Sequence, residues 1–150
     1  MATERPRITS EVDRTRRVEL TRVYHFSAGH RLENPARSAE DNAALYGACS
    51  RPHGHNYYLE VTVRGVPDAL TGMAVDLGRV DEIVRVSVLE HVDHYTLEDV
   101  PALAGVISTG EGLARAFWNI LADKLPSATL SRVAVVETAK NRFEYRGEAA

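Results

Sequence analysis

The sequence is short of cysteine, and this scarcity limits where the chain can work and how. Cys49 is the only cysteine among 150 residues, so no disulfide can form within the chain. Because disulfides persist in oxidising compartments, a chain without one is expected to be cytoplasmic. The single thiol is then an apolar filler, a metal ligand or a reactive group, and its position alone leaves all three open.

Long apolar runs and a strong excess of one charge are also lacking. The apolar runs are too short to cross a bilayer. Residues 1–16 are polar and charged, so we expect a flexible N-terminal arm rather than a secretory signal. A net charge of −3 gives no reason to expect nucleic acid or membrane as a partner. The length predicts one domain, covering residues 17–150.

The spacing of apolar residues predicts two strands, two helices and two more strands. Residues 18–28 and 57–64 alternate as strands do, and one face of the second carries Tyr57, Leu59, Val61 and Val63. Helical spacing predicts one helix capped by Asp76 and another beginning near Ser108, whose partner in a capping box is Glu111. Residues 131–138 and 143–146 are expected to form the closing hairpin.

This order predicts an α+β fold. Paired strands at each end form a four-stranded antiparallel sheet with two helices on one face, in the chain order ββααββ. The other face of the sheet and its edges stay open. Because small domains with open sheet faces and edges usually associate, we expect a homo-oligomer.

The six histidines all lie between residues 25 and 94. His53 and His55 are two apart on an extended segment, so their rings project to one side, about 6.5–7 Å apart at Cα. If the first two strands pair as a hairpin, His30 at the end of the first lies close to them. Three imidazoles with no fourth protein ligand are typical of an open, catalytic zinc site. The alternative is a polar loop and a surface histidine.

Three further features could carry chemistry. Cys49 stands four residues before His53 and could be a fourth ligand or a base beside the metal. Asp93 could orient the ring of His94 and stabilise its cation, or the two could be a surface pair. Glu137 shares a face with apolar residues, so it needs a partner, such as a ligand with adjacent N–H donors, unless the strand end frays into water.

Together these segments resemble the 6-pyruvoyl-tetrahydropterin synthase family, which includes the 6-carboxy-tetrahydropterin synthases of the queuosine pathway. The resemblance runs from about Tyr24 to Gly147, and it is carried by residues 26–32, 45–49, 53–57, 71–73, 92–94, 108–111, 136–138 and 145–147. It implies the tetrahydropterin-synthase fold, with sheets assembled into an oligomeric barrel, usually a dimer of trimers. Active sites in this family lie between subunits.

The resemblance also implies roles for particular side chains. Zinc would be held by His30, His53 and His55. Cys49 would be the proton-abstracting base, with Asp93 and His94 as the orienting acid and the proton carrier. The pterin would be held by Glu137, aided by Thr109 and Glu111.

The implied reaction is that of a zinc-dependent lyase acting on 7,8-dihydroneopterin triphosphate, which eliminates triphosphate and rearranges the side chain. The spacing Cys-x-x-x-His-Gly-His resembles the 6-carboxy enzymes, so 6-carboxy-5,6,7,8-tetrahydropterin is the expected product. Residues 33–45, 99–101 and 127–146 resemble the 6-pyruvoyl enzymes, whose product, 6-pyruvoyl-tetrahydropterin, is the alternative.

Other hypotheses remain open at this point. Family members commonly carry Lys where Ala48 stands, which favours a catalytically silent zinc- and pterin-binding protein unless Arg51 or Arg31 supplies the missing cation. A zinc hydrolase would need a base carboxylate near the metal, and no HExxH motif is present. A structural zinc module would need Cys49 on the metal.

Overall fold

The fold is given by a computed structural model, which describes residues 16–148. The predicted N-terminal arm therefore lies almost entirely outside the described residues. The strands are β1 (Val18–His30), β2 (His53–Gly65), β3 (Leu130–Thr138) and β4 (Asn141–Tyr145). The helices are α1 (Ala39–Tyr46), α2 (Leu77–Val84), α3 (Glu90–Val92) and α4 (Gly110–Ala122). Across residues 16–148, no helix combines the length and the apolar character that crossing a membrane requires.

The four strands form one antiparallel sheet in the order β1-β2-β3-β4, which confirms the predicted α+β fold. The apolar face predicted for β2 is also observed, because Tyr57, Leu59, Val61 and Val63 are all fully buried, although Glu60 and Thr62 on the opposite face are buried too. Neighbouring strands continue this apolar face, with Leu59 opposite Val135.

The core lies between this face and the helices. Phe26 stacks on Tyr57 with ring centroids 4.7 Å apart, and the ring of Phe117 on α4 meets Phe26 edge-on at 5.9 Å. Each such side chain contributes about 1.5–3 kcal/mol by leaving water. Helix α4 covers β3 and β4, while α2 is tied to β1 by the Arg22 guanidinium, whose Nε donates to Asp81 at 3.0 Å.

Helix α1 is longer than the sequence indicates, since residues 33–42 are expected to form a loop with one helical turn at most. Residues 33–42 carry no apolar stripe, yet α1 begins at Ala39, capped by Ser38, whose Oγ accepts from the backbone N–H of Asp41 at 3.1 Å. Asn42 is buried, and its Nδ2 donates to the carbonyls of Asn34 and Ser38 at 3.1 and 3.0 Å. A polar side chain thus organises this segment, which periodicity could not reveal.

Several predicted boundaries shift. Strand β2 begins at His53, so the histidine pair lies within the strand and not before it. Strand β4 begins at Asn141, two residues earlier than predicted. Helix α4 is capped by Thr109, whose Oγ1 accepts from the backbone N–H of Gly112 at 3.1 Å, and not by Ser108, whose hydroxyl makes other contacts.

A π-helical turn, Arg85–Leu89, joins α2 to α3. The wider turn accommodates an extra residue and still leaves Val88 and Val92 buried in the core. The helix therefore ends at Val92, immediately before Asp93. This places the Asp93-His94 pair beside the end of β1.

Candidate metal centre and adjoining cleft

Three histidine rings meet where β1 ends and β2 begins. His30 and His53 are Cα partners at the last pair of the β1–β2 ladder, and His55 is opposite Ala28. The ring centroid of His30 lies 4.5 Å from that of His53 and 5.0 Å from that of His55. One ligand nitrogen from each ring lies within 4.8 Å of the other two, so the three could hold a metal ion.

Backbone carbonyls orient two of these rings. Nδ1 of His30 lies 3.0 Å from the carbonyl oxygen of Ser108, and Nδ1 of His53 lies 2.7 Å from that of Arg51. Because a carbonyl oxygen can only accept, we assign the proton of each ring to Nδ1, which leaves the Nε2 lone pair free for a metal.

Unpartnered polar atoms point to the same ligand. Nε2 of His30 and Nε2 of His55 are buried without a hydrogen-bond partner among residues 16–148. Burial lowers the pKa of His30, which keeps its imidazole neutral at physiological pH, as metal ligation requires. The donor set therefore fits a divalent metal that accepts imidazole ligands.

Glu137 reaches this cluster from β3. Its Oε1 lies 3.5 Å from Nε2 of His55, and both side chains are less than one-fifth exposed. The carboxylate expected at the edge of an apolar surface therefore has a histidine beside it. The hydroxyl of Tyr57 is also buried without a partner in the described chain.

Asp93 and His94 are held against β1. One carboxylate oxygen of Asp93 accepts from the backbone N–H of Ser27 at 2.9 Å and lies 3.0 Å from Nδ1 of His94. The Ser27 hydrogen bond, followed by the nearby His94, lowers the pKa of Asp93, so this carboxyl group stays ionised at neutral pH. His94 has a φ of 65°, an uncommon conformation that its backbone N–H fixes by donating to the Ser27 carbonyl at 2.6 Å.

The ring of His94 is 82% exposed and faces a cleft of about 450 Å³. The cleft is also lined by His55, so the proton-carrier candidate and the histidine cluster share one opening. Ser27, Asn56 and Thr96 add hydroxyl and amide groups to its wall.

Cys49 lies apart from this cleft. It is exposed on a 3₁₀ turn, Gly47–Ser50, and it belongs neither to the cleft lining nor to the histidine cluster of the described chain. Its carbonyl accepts from the backbone N–H of Leu32 at 2.7 Å, which anchors the turn near the end of β1. Within one copy of the chain, Cys49 and His94 therefore do not both line this cleft.

The remaining predicted residues lie at the start of α4. Thr109 uses its hydroxyl in the helix cap, and Glu111 is exposed in the first turn. The preceding Ser108 contacts His30, and its hydroxyl is hydrogen-bonded to Glu98. Neither Ser108 nor Glu98 was predicted as a site residue, because their positions depend on packing between distant segments.

The fold and the cluster define a class of protein: a small α+β domain with three histidines able to hold a metal where two sheet strands meet, beside an acid–histidine pair. The sequence profile described as 6-pyruvoyl tetrahydropterin synthase matches residues 19–148. The chain belongs to the 6-pyruvoyl tetrahydropterin synthase family.

Individual relatives agree with this assignment. The chain is 43% identical over 132 residues to 6-pyruvoyl tetrahydrobiopterin synthase of Poecilia reticulata, covering 86% of this chain and 90% of the relative. It superposes on the solved structure of Caenorhabditis elegans 6-pyruvoyl tetrahydropterin synthase with a TM-score of 0.82 at 35% identity, covering 88% and 96% of the two chains. A 6-carboxy-5,6,7,8-tetrahydropterin synthase of Aquifex aeolicus is 28% identical over 160 residues, covering 87% and 98%.

Proposed function

We propose that this protein is a zinc-dependent 6-pyruvoyl-tetrahydropterin synthase, a lyase that converts 7,8-dihydroneopterin triphosphate to 6-pyruvoyl-tetrahydropterin and triphosphate. The observation that carries the choice of product is the 43% identity to a 6-pyruvoyl enzyme, against 28% to a 6-carboxy enzyme. This reverses the preference that the short spacing between Cys49 and His53 suggested.

Zinc is the metal that this donor set favours. Three imidazoles with no fourth protein ligand among residues 16–148 leave a position open for substrate, as catalytic zinc sites do. Bound there, zinc would lower the pKa of the substrate's side-chain hydroxyls and stabilise enolate charge. The carbonyls of Ser108 and Arg51 hold two of the rings in the ligating tautomer.

Asp93 and His94 would move protons at the mouth of the cleft. The ionised Asp93 receives the Nδ1 hydrogen of His94 and stabilises the imidazolium form, while Nε2 is left to exchange a proton with substrate. Fixing the His94 backbone to β1 keeps this group at the cleft that His55 also lines.

Cys49 is the proposed base, supplied to the cleft by a second copy of the chain. Its position outside the cleft of its own chain supports this arrangement. Strands β1 and β4 are the two edges of the sheet, so copies can join edge to edge into the expected barrel, a trimer or a dimer of trimers. We assign the cation that Ala48 lacks to Arg51, because Arg31 is paired with Glu33 at 3.0 Å.

Substrate binding is assigned to three residues. Glu137 would accept hydrogen bonds from the amino-pyrimidinone edge of the pterin, and Thr109 and Glu111 at the start of α4 would support it.

Proton removal by Cys49 and proton return by His94 allow triphosphate to leave while hydrogen is redistributed within the substrate. No external electron donor is required.

A second candidate is the 6-carboxy activity, which the Cys-x-x-x-His-Gly-His spacing favours. The test is to incubate the zinc-loaded protein with dihydroneopterin triphosphate and identify the products by mass spectrometry. We expect 6-pyruvoyl-tetrahydropterin. Formation of 6-carboxy-tetrahydropterin and acetaldehyde would establish the second candidate, and substrate binding without turnover would establish a silent binding protein.

A further inference from the structure

Three polar groups form a chain at Nδ1 of His30, the ring nitrogen that is not assigned to the metal. Nδ1 of His30 lies 3.0 Å from the carbonyl oxygen of Ser108 and 3.2 Å from its Oγ. The Oγ of Ser108 in turn lies 2.8 Å from Oε1 of Glu98. His30 and Ser108 are 2% and 4% exposed, so their contact is shielded from water, whereas Glu98 is an exposed residue.

The direction of each hydrogen bond follows from the groups involved. A carboxylate can only accept, so the Ser108 hydroxyl donates its hydrogen to Glu98. The lone pairs of that hydroxyl are then left to accept from Nδ1–H of His30. Hydrogen bonds to ionised groups are stronger than neutral ones, and a chain of them polarises each member.

Glu98 also joins two parts of the backbone. The same Oε1 accepts from the backbone N–H of Arg31 at 2.8 Å, directly after His30. Glu98 lies on the 3₁₀ turn Leu97–Asp99, which begins one residue after Thr96, the bridge partner of Gly29. One carboxylate oxygen therefore binds both the residue that follows His30 and the residue that orients its ring.

We infer that Glu98 and Ser108 are positioning residues for the metal centre: together they hold the His30 ring in its ligating tautomer and orientation, and so set the metal affinity of the three-histidine cluster. Outer groups of this kind commonly change metal affinity by about 10- to 100-fold when removed. The inference rests on the proposed metal site, but it concerns affinity and not the reaction.

Two substitutions separate this role from simple bracing of the fold. In Glu98→Gln the side-chain oxygen can still accept from Arg31 and Ser108, so the backbone tie is kept while the charge is lost. Ser108→Ala removes the middle group of the chain but leaves the Ser108 carbonyl on His30. Asp99→Asn is the matched control, because it removes an exposed negative charge one residue away.

The experiment measures the zinc affinity of the full chain by competition with a chromophoric chelator. The melting temperature of each protein is recorded as well. We expect Glu98→Gln and Ser108→Ala to bind zinc about 10-fold more weakly, with Asp99→Asn unchanged and Glu98→Gln melting like the unmodified protein. Nitrogen-15 spectra of the zinc-free protein should also show Nδ1–H of His30 shifted in Glu98→Gln.

Unchanged zinc affinity in both variants would overturn the inference while leaving the proposed function standing. An equal loss in Asp99→Asn would also overturn it, because the effect would then be general electrostatics. If Ser108→Ala fails to fold, Glu98→Gln and the His30 spectrum still decide. Failure of the unmodified protein to bind zinc would reject the metal site and the proposed function together.

Discussion

The carboxylate of Glu137 lies 3.5 Å from Nε2 of His55, so β3 brings an acid to a cluster that β1 and β2 build. The same oxygen could receive a pterin N–H or approach a bound metal. These two roles can be separated by removing the charge of Glu137. A pterin contact needs the negative charge to bind N–H donors, whereas zinc binding does not need Glu137 because three histidines already suffice.

Glu137→Gln is therefore expected to keep a full complement of zinc and to bind pterin about 10-fold or more weakly, because hydrogen bonds to charged groups contribute about 1.5–3 kcal/mol. Zinc content by mass spectrometry and neopterin affinity by fluorescence give the two readouts. Glu40→Gln, on exposed α1, is the control. Loss of zinc from Glu137→Gln would place Glu137 in the metal site.

His53→Ala should remove the metal. It deletes one of three ligands and leaves two imidazoles, too few for stable zinc at neutral pH. After dialysis, zinc should be well below stoichiometric, and turnover should be lost. His91→Ala, which removes an exposed histidine of α3, should retain zinc. Equal zinc in both variants would argue against the cluster as the binding site.

Asp93→Asn tests the proton carrier. An asparagine oxygen still accepts from the backbone N–H of Ser27, so the loop should keep its shape, but the stabilising charge beside His94 is gone. We expect kcat to fall by about 100-fold with little change in KM. Asp123→Asn, at the exposed end of α4, should leave kcat unchanged. A normal kcat in Asp93→Asn would remove this pair from the mechanism.

The ion pair between Arg22 and Asp81 predicts a pH dependence of stability. Hydrogen bonds from the Arg22 guanidinium, then from the Tyr24 hydroxyl, lower the pKa of Asp81. The folded protein thus binds this proton less readily than the unfolded chain, so the pair stabilises above the unfolded pKa of about 3.9. This contribution is lost as the pH falls through the lower folded value.

Asp81→Asn should accordingly reduce stability near neutrality, and its difference from the unmodified protein should shrink in acid. Urea unfolding at a series of pH values below about 5 measures this difference. Because both side chains are about two-fifths exposed, the effect should also weaken in high salt. A difference that stays constant down to the lowest pH would contradict the pair's contribution.

Gly110 is expected to be intolerant of any side chain. A Cβ placed there would lie 1.9 Å from the ring of Phe143, so Gly110→Ala must displace β4 or the start of α4. We expect a loss of about 1–3 kcal/mol in unfolding free energy. Gly78→Ala on α2 is the opposite case, because its nearest neighbour is an ordinary 3.5 Å contact, and it should stabilise by about 0.5–1 kcal/mol. Urea unfolding at equal chain concentrations compares the two.

Local pattern was enough to predict the sheet and the meeting of the histidines. Tyr57, Leu59 and Val61 alternate with polar residues, and this period specifies a half-buried strand. The histidines at positions 53 and 55 follow the same period, so the hairpin that pairs β1 with β2 brings His30 to them. These conclusions need only the chain neighbours and one strand pairing.

Other features depend on contacts between distant segments and leave little trace in the local pattern. Ser108 looked like a helix cap, but its hydroxyl is taken by Glu98, and Thr109 caps α4 in its place. The π-helical turn keeps Val88 and Val92 buried in the core, which the local pattern does not reveal. The proposed 6-pyruvoyl product rests on the comparison with relatives, because the short spacing between Cys49 and His53 favoured the 6-carboxy activity.

The position of His30 at the last residue of β1 and of His53 at the first residue of β2 has a further consequence. A metal held by both would act as a crosslink that closes the loop of residues 31–52, which contains α1 and Cys49. Like a disulfide, it would restrict the conformations of the unfolded chain. Chelation would then loosen the segment that bears the proposed base. Protease cleavage within residues 31–52 would therefore report metal loading, and removal of the metal would also disturb the proposed base.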